Sequence, residues 1–284
     1  MLNFPIIDTH LHLCDYDNIR YPWLEELPTL QRSFLLKDYD QACGAVTVEK
    51  MVFIQYESDP LQYKDEIAFV SSEAQKDPRL SGIVTWVPLE KGDAVKPELE
   101  ELTQYSLIRG VRRIIQFEED IEFCLQPDFI KGVQLLPDFN WSFDICISHI
   151  QMANTIKLVK QCPKVKFILD HIGKPDIKNQ LFQPWESEIR QLAEFENVSC
   201  KISGMITEAD HDHWKKEDLK PYFDHVIDCF GIDRVMFGGD WPVVTLAGKL
   251  QDWLNSLEWA LSGFSEDELN KLFHENAMRI YRID

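Results

Sequence analysis

Two histidines one residue apart, His10 and His12, close an apolar run that begins at Pro5 (Pro5-Ile6-Ile7-Asp8-Thr9-His10-Leu11-His12). Side chains alternate along a strand, so both imidazoles face one side and can grip a single cation from two directions. By the same alternation Asp8 faces that side too, one layer deeper. A lone His-x-His pair is more often an ordinary surface or core feature. It acquires chemical meaning only if other strands bring further ligands to the same place.

The rest of the chain supplies strands at regular intervals. Short apolar segments open at Lys50, Gly82, Ile108, Ser142, Lys164, Asn197 and Arg234, each followed by a helical pattern. Helices are expected over 36–43, 61–77, 96–105, 126–136, 151–161, 185–195 and 219–230. A last helix starts at the capping box Ser265-Glu266-Asp267-Glu268. Eight strand-then-helix units without a break in composition predict a parallel sheet closed as a (β/α)8 barrel, a TIM barrel, in a single domain over residues 1–284. A doubly wound open sheet would want a glycine-rich phosphate turn after the first strand, where this chain has His-Leu-His.

Such a barrel does its chemistry at the carboxyl ends of the strands. The polar residues expected there are His10 and His12 (strand one), Arg112 or Arg113 (strand four), His149 (strand five), His171 (strand six), Lys201 (strand seven) and Asp240 (strand eight). Four of the eight histidines thus gather near strand ends, with a terminal aspartate beside them. Neutral imidazoles plus a carboxylate suit a divalent metal of the zinc class, and three histidines with one aspartate leave a coordination position open for water. A metal lowers the pKa of that water, a carboxylate takes its proton, and a further histidine polarises a carbonyl or protonates a leaving group. Adjacent strand residues face opposite sides, so only one of Arg112 and Arg113 can line the mouth. Alternation does not decide between them; Arg112 is the working candidate, with Lys201 across the mouth to hold a carboxylate or polarise a carbonyl. Trp23, Tyr56, Trp86 and Trp241 could wall a sugar-sized pocket, although each aromatic alone is more often core. His211 and His213 repeat the His-x-His pattern in a polar, acidic loop and read as exposed.

Composition bounds the partners. The net charge of −19 argues against nucleic acid and anionic membrane surfaces. A hydrophobic fraction of 45% supports a sizeable core without disulfides. Seven scattered cysteines, with no Cys-x-x-Cys pair, point to reduced thiols and a cytoplasmic setting. Cys14 lies near the histidine pair, where packing is a simpler role than ligation. No stretch has the pattern of a signal peptide, and none approaches the ~20 apolar residues of a membrane span. Self-association into a homo-oligomer is left open.

Four motifs carry a resemblance: Asp8-Thr9-His10-Leu11-His12, Leu169-Asp170-His171-Ile172-Gly173-Lys174-Pro175, Phe237-Gly238-Gly239-Asp240-Trp241-Pro242-Val243, and Glu275-Asn276-Ala277-Met278-Arg279-Ile280-Tyr281. Together they resemble the amidohydrolase superfamily, and within it the sugar-lactone hydrolases of the L-fuconolactonase and L-rhamnonolactonase group. The Tyr21-Pro22-Trp23-Leu24 loop is similar to that branch as well. The resemblance implies a hydrolase of carbohydrate metabolism that opens a small-molecule lactone. It implies His10, His12, His149 and Asp240 as ligands of one divalent ion, zinc by ligand type, with Asp240 also as general base and His171 acting beside the ion. With arginines at the end of strand four there is no lysine to bridge two metals. Some relatives in this branch work without any metal. The same barrel could serve a decarboxylase or another hydrolase acting on an aromatic or cyclic acid, or a non-catalytic sugar-acid binder.

Overall fold

The computed structural model describes residues 4–283. Eight parallel strands form one sheet in sequential order: β1 Ile6–Leu11, β2 Val48–Ile54, β3 Leu80–Thr85, β4 Ile108–Val111, β5 Ser142–Ile145, β6 Phe167–Leu169, β7 Val198–Ile202 and β8 Val235–Phe237. A parallel bridge between Leu11 and Trp241 brings the last strand back to the first. Around the sheet lie α1 Leu36–Cys43, α2 Tyr63–Lys76, α3 Lys96–Leu102, α4 Pro127–Leu135, α5 Met152–Gln161, α6 Trp185–Ala193, α7 Lys216–Phe230 and α8 Leu250–Ala260. This is the (β/α)8 barrel the alternation predicts. Helix α8 was not among the expected elements. Two short helices, α9 Glu266–Asn270 and α10 Asn276–Tyr281, end the chain. No helix among the described residues is long and apolar enough to cross a membrane.

Strands β6 and β8 are shorter than their apolar patterns suggest, because the chain leaves ladder geometry where the site begins. Inside the barrel, Ile7, Val52, Ile54, Val84, Ile168 and Met236 pack against Ala277, Tyr281 and Ile283 of the C-terminal segment. A larger apolar cluster fills the space between strands and helices.

The first strand breaks its own alternation. Asp8 pairs with Met51 and Leu11 with Phe53, so three steps on β1 match two on β2. Such a bulge reverses the parity beyond it. Ile7 and both histidines therefore face inward, whereas Asp8 does not. It turns toward α1 and accepts from the Tyr39 hydroxyl (2.7 Å), the Gly239 amide (2.8 Å) and the His10 amide (2.9 Å). The expectation that Asp8 shares the histidine face is corrected by this bulge. Burial pushes its carboxyl up to about 6 against the effect of those donors. A Cβ on Gly239 would fall 2.3 Å from Asp8 Oδ2, so glycine is required where β8 passes β1.

Candidate active site

Asp240 follows the end of β8 in a left-handed conformation (φ 54°), which aspartate tolerates better than most residues. Its amide donates to the His10 carbonyl at 2.8 Å, and the His12 amide donates to Trp241 at 2.8 Å. These two bonds fix the carboxylate against the histidine pair. Asp240 Oδ1 lies 3.5 Å from His12 Nε2, 3.7 Å from His10 Nε2 and 3.9 Å from His171 Nε2.

The neighbours of each ring constrain its protons. His12 Nδ1 is 2.7 Å from the Ile54 carbonyl, which can only accept, so Nδ1 carries the hydrogen and Nε2 a lone pair. Burial lowers the His12 pKa, so this ring is held toward its neutral form. A lone pair and a carboxylate oxygen thus face each other, an arrangement that calls for a cation between them. His10, His12 and Asp240 each offer one ligand atom, all within 4.8 Å of one another. This donor set fits a divalent metal. Arg112 Nη1 also approaches His10 Nε2, at 3.3 Å, so a guanidinium and an ion would share that nitrogen. His171 Nδ1 meets Ser203 Oγ at 3.0 Å, and burial, then His10 and Lys174, hold its pKa well below the usual value. A Cβ on Gly204 would come within 2.4 Å of His171 Nδ1.

Beneath the histidines lies a buried ionic chain. Lys201 Nζ donates to Asp144 at 2.8 Å and forms an ion pair with Asp170 at 2.9 Å. Asp170 also receives Arg112 Nη1 at 3.2 Å and sits 3.4 Å from His10 Nδ1. The Tyr281 hydroxyl donates to Asp144 from the opposite end of the barrel. Low dielectric makes such a network costly to leave half-paired, and here each charge has a counterpart.

Above it opens a cavity of about 430 Å³. His12, His171, Asp240, Arg112, Trp23 and Tyr56 line it, as the sequence suggests. Arg112 is the inward arginine; Arg113 points away, to Glu90 and Glu118. Four expectations need correction. Lys201 is fully buried at the level of Met236 on β8, below the histidines, and does not reach the mouth. His149 stands four residues past the end of β5, with Nδ1 3.1 Å from the Lys174 carbonyl; the cavity-lining residue at that strand's exit is Cys146. Trp86 packs on Tyr63 of α2, and Trp241 on Phe34 and Tyr39, because both rings turn to the helix layer. His211 and His213 are exposed, as expected. Cys14 is buried and donates to the Arg32 carbonyl.

Sequence reasoning missed Lys174 and Glu57, which line the cavity, and Asp170. For Asp170 and Lys174 the cause is one backbone feature. His171, Ile172, Gly173 and Lys174 are all left-handed, at φ 53°, 52°, 74° and 48°. Each non-glycine residue there costs about 1–2 kcal/mol. Strand alternation does not survive such a turn, so Asp170, His171 and Lys174 can all face the site.

The amidohydrolase family model matches residues 7–283. The chain is 28% identical to an L-fucono-1,5-lactonase of Burkholderia multivorans, across 98% of this chain and 96% of that protein. It is 23% identical to an L-rhamnono-gamma-lactonase of Scheffersomyces stipitis over the full length of both. A crystal structure of a Burkholderia multivorans amidohydrolase with bound zinc superposes with a TM-score of 0.89 at 28% identity, covering 99% of this chain and 100% of that one. The chain belongs to the amidohydrolase family.

Proposed function

We propose that this protein is a lactonase that opens an L-sugar lactone, of the L-fuconolactone or L-rhamnonolactone kind, to its hydroxy acid. The observation that carries the reading is the convergence of three imidazole Nε2 atoms on Asp240 Oδ1 at the floor of an open cavity. The lactonase relatives named above support the substrate class.

Asp240 orients a water with one oxygen and takes its proton as the water attacks the ring carbonyl. With the Ser203 hydroxyl donating to His171 Nδ1, the ring keeps its proton on Nε2 and donates to the developing oxyanion. The acyl C–O bond then breaks, and the proton held by Asp240 passes to the leaving ring oxygen. His10, His12 and Asp240 would hold the divalent ion, zinc by donor type, which supplies positive charge and a more acidic water. Trp23 and Tyr56 give flat walls for the sugar ring. The seven free cysteines, six of them buried, fit a reducing cytoplasm.

The test is acid release, followed with a pH indicator, from a panel of sugar lactones offered to purified protein with zinc restored. Release from a deoxy-sugar lactone supports the proposal. Release from none, with carbon dioxide evolved from aromatic acids instead, overturns it.

A further inference from the structure

Three cationic side chains surround the site, and they differ in what they have left to offer. Lys201 is ion-paired with two buried carboxylates and closed off. Arg112 commits Nη1 to Asp170 and Nη2 to the Gln55 carbonyl, while its Nε lacks a partner but is sealed from solvent. Lys174 lines the cavity, and among the described residues its Nζ reaches one carboxylate, Glu208, at 3.6 Å. At that length the ion pair is loose, so the ammonium keeps N–H groups for a ligand in the cavity.

The fold also goes to unusual lengths to place this lysine. It ends the run of four left-handed residues, and its amide donates to the His171 carbonyl at 2.9 Å. His149 clamps the same residue from the far side, with both its backbone amide (3.3 Å) and Nδ1 (3.1 Å) on the Lys174 carbonyl. Strained backbone persists where surrounding contacts over-determine it, which is common at sites of chemistry.

We infer that Lys174 is the cation that meets the substrate, receiving the charge that forms on the lactone carbonyl and stays as the carboxylate of the product. The inference rests on the lactonase reading. When water adds, the carbonyl π pair moves to oxygen; when the ring C–O bond breaks, that pair re-forms the carbonyl, and the new acid gives its remaining proton to solvent and leaves as its anion. A neutral lactone becomes a negatively charged acid, so a fixed ammonium favours the later states over the first. His149, outside the ligand group, becomes a positioning residue that holds this turn.

Calorimetric titration of the intact protein with L-fuconate and with its neutral alditol, L-fucitol, tests the inference without turnover. Wild type should prefer the acid by about tenfold or more, Lys174→Gln should lose that preference, and Lys174→Arg should keep most of it. Glu208→Gln, which removes the carboxylate paired with the ammonium, should tighten L-fuconate binding. An acid preference retained in Lys174→Gln, or unchanged or weaker L-fuconate binding in Glu208→Gln, would overturn the assignment. If wild type opens no lactone, the functional reading fails on its own, while the acid-against-alditol comparison still judges Lys174.

Discussion

The amide of Asp240 donates to the carbonyl of His10 at 2.8 Å across the seam where the last strand meets the first. The bond that helps close the barrel is therefore the bond that sets the carboxylate beside the imidazole pair. Barrel closure and site assembly are one event, although the two residues are 230 positions apart in the chain. The site should form only in the fully folded barrel.

Gly204 leaves room for His171. Gly204→Ala puts a methyl 2.4 Å from Nδ1 and forces a residue with a side chain to φ 62°. The ring must shift away from Ser203. We expect kcat to fall about tenfold or more, with a stability loss of about 1–3 kcal/mol. Steady-state kinetics and chemical denaturation check both; unchanged kinetics would mean that the Ser203 contact does not matter.

Lys201 holds the buried chain together. Lys201→Met strips Asp144 and Asp170 of their shared partner, so the expected effect is a loss of about 3–5 kcal/mol in unfolding free energy. A mouth residue would instead raise KM and leave stability alone, and that result would contradict its placement here.

Glu66 on α2 is buried and accepts from the Tyr56 amide, and burial pushes its carboxyl up to about 8. The folded state keeps a proton that the unfolded chain releases above about 4.5. The stability this contributes is full below that pH and is lost as pH rises through about 8. Unfolding free energies from denaturant titration should therefore decline more steeply between pH 5 and 8.5 in wild type than in Glu66→Gln, by a few kcal/mol at most. Parallel profiles would show that Glu66 ionises normally.

His12 lies in the cluster that could hold a divalent ion, and His149 lies outside it. After equilibration with zinc and removal of excess, His12→Ala should retain little metal, while His149→Ala should match wild type. Loss of metal in His149→Ala would restore it as a ligand.

The barrel was legible because its signals are local and repeated: apolar strands, helical periodicity and the lack of a phosphate loop. His10, His12, His171 and Asp240 were legible as strand-end residues of the right chemistry. What strand parity misplaced lies where regular geometry stops. The β1 bulge turned Asp8 outward, and the left-handed turn after β6 delivered Lys174 to the cavity. Lys201 looked like a mouth residue because sequence shows which strand it is on, not its depth. His149 was the histidine nearest to strand five, but Cys146 holds the inward position there.

Asp240 is the atom-level centre of this account, so the most direct measurement is kcat/KM of Asp240→Asn on the lactone that wild type opens fastest, with thermal unfolding recorded alongside. The side chain keeps its size but can no longer take a proton. A fall of about 10²–10⁴-fold with an unchanged melting profile is the expected result. Activity within a few fold of wild type would mean that some other group activates the water.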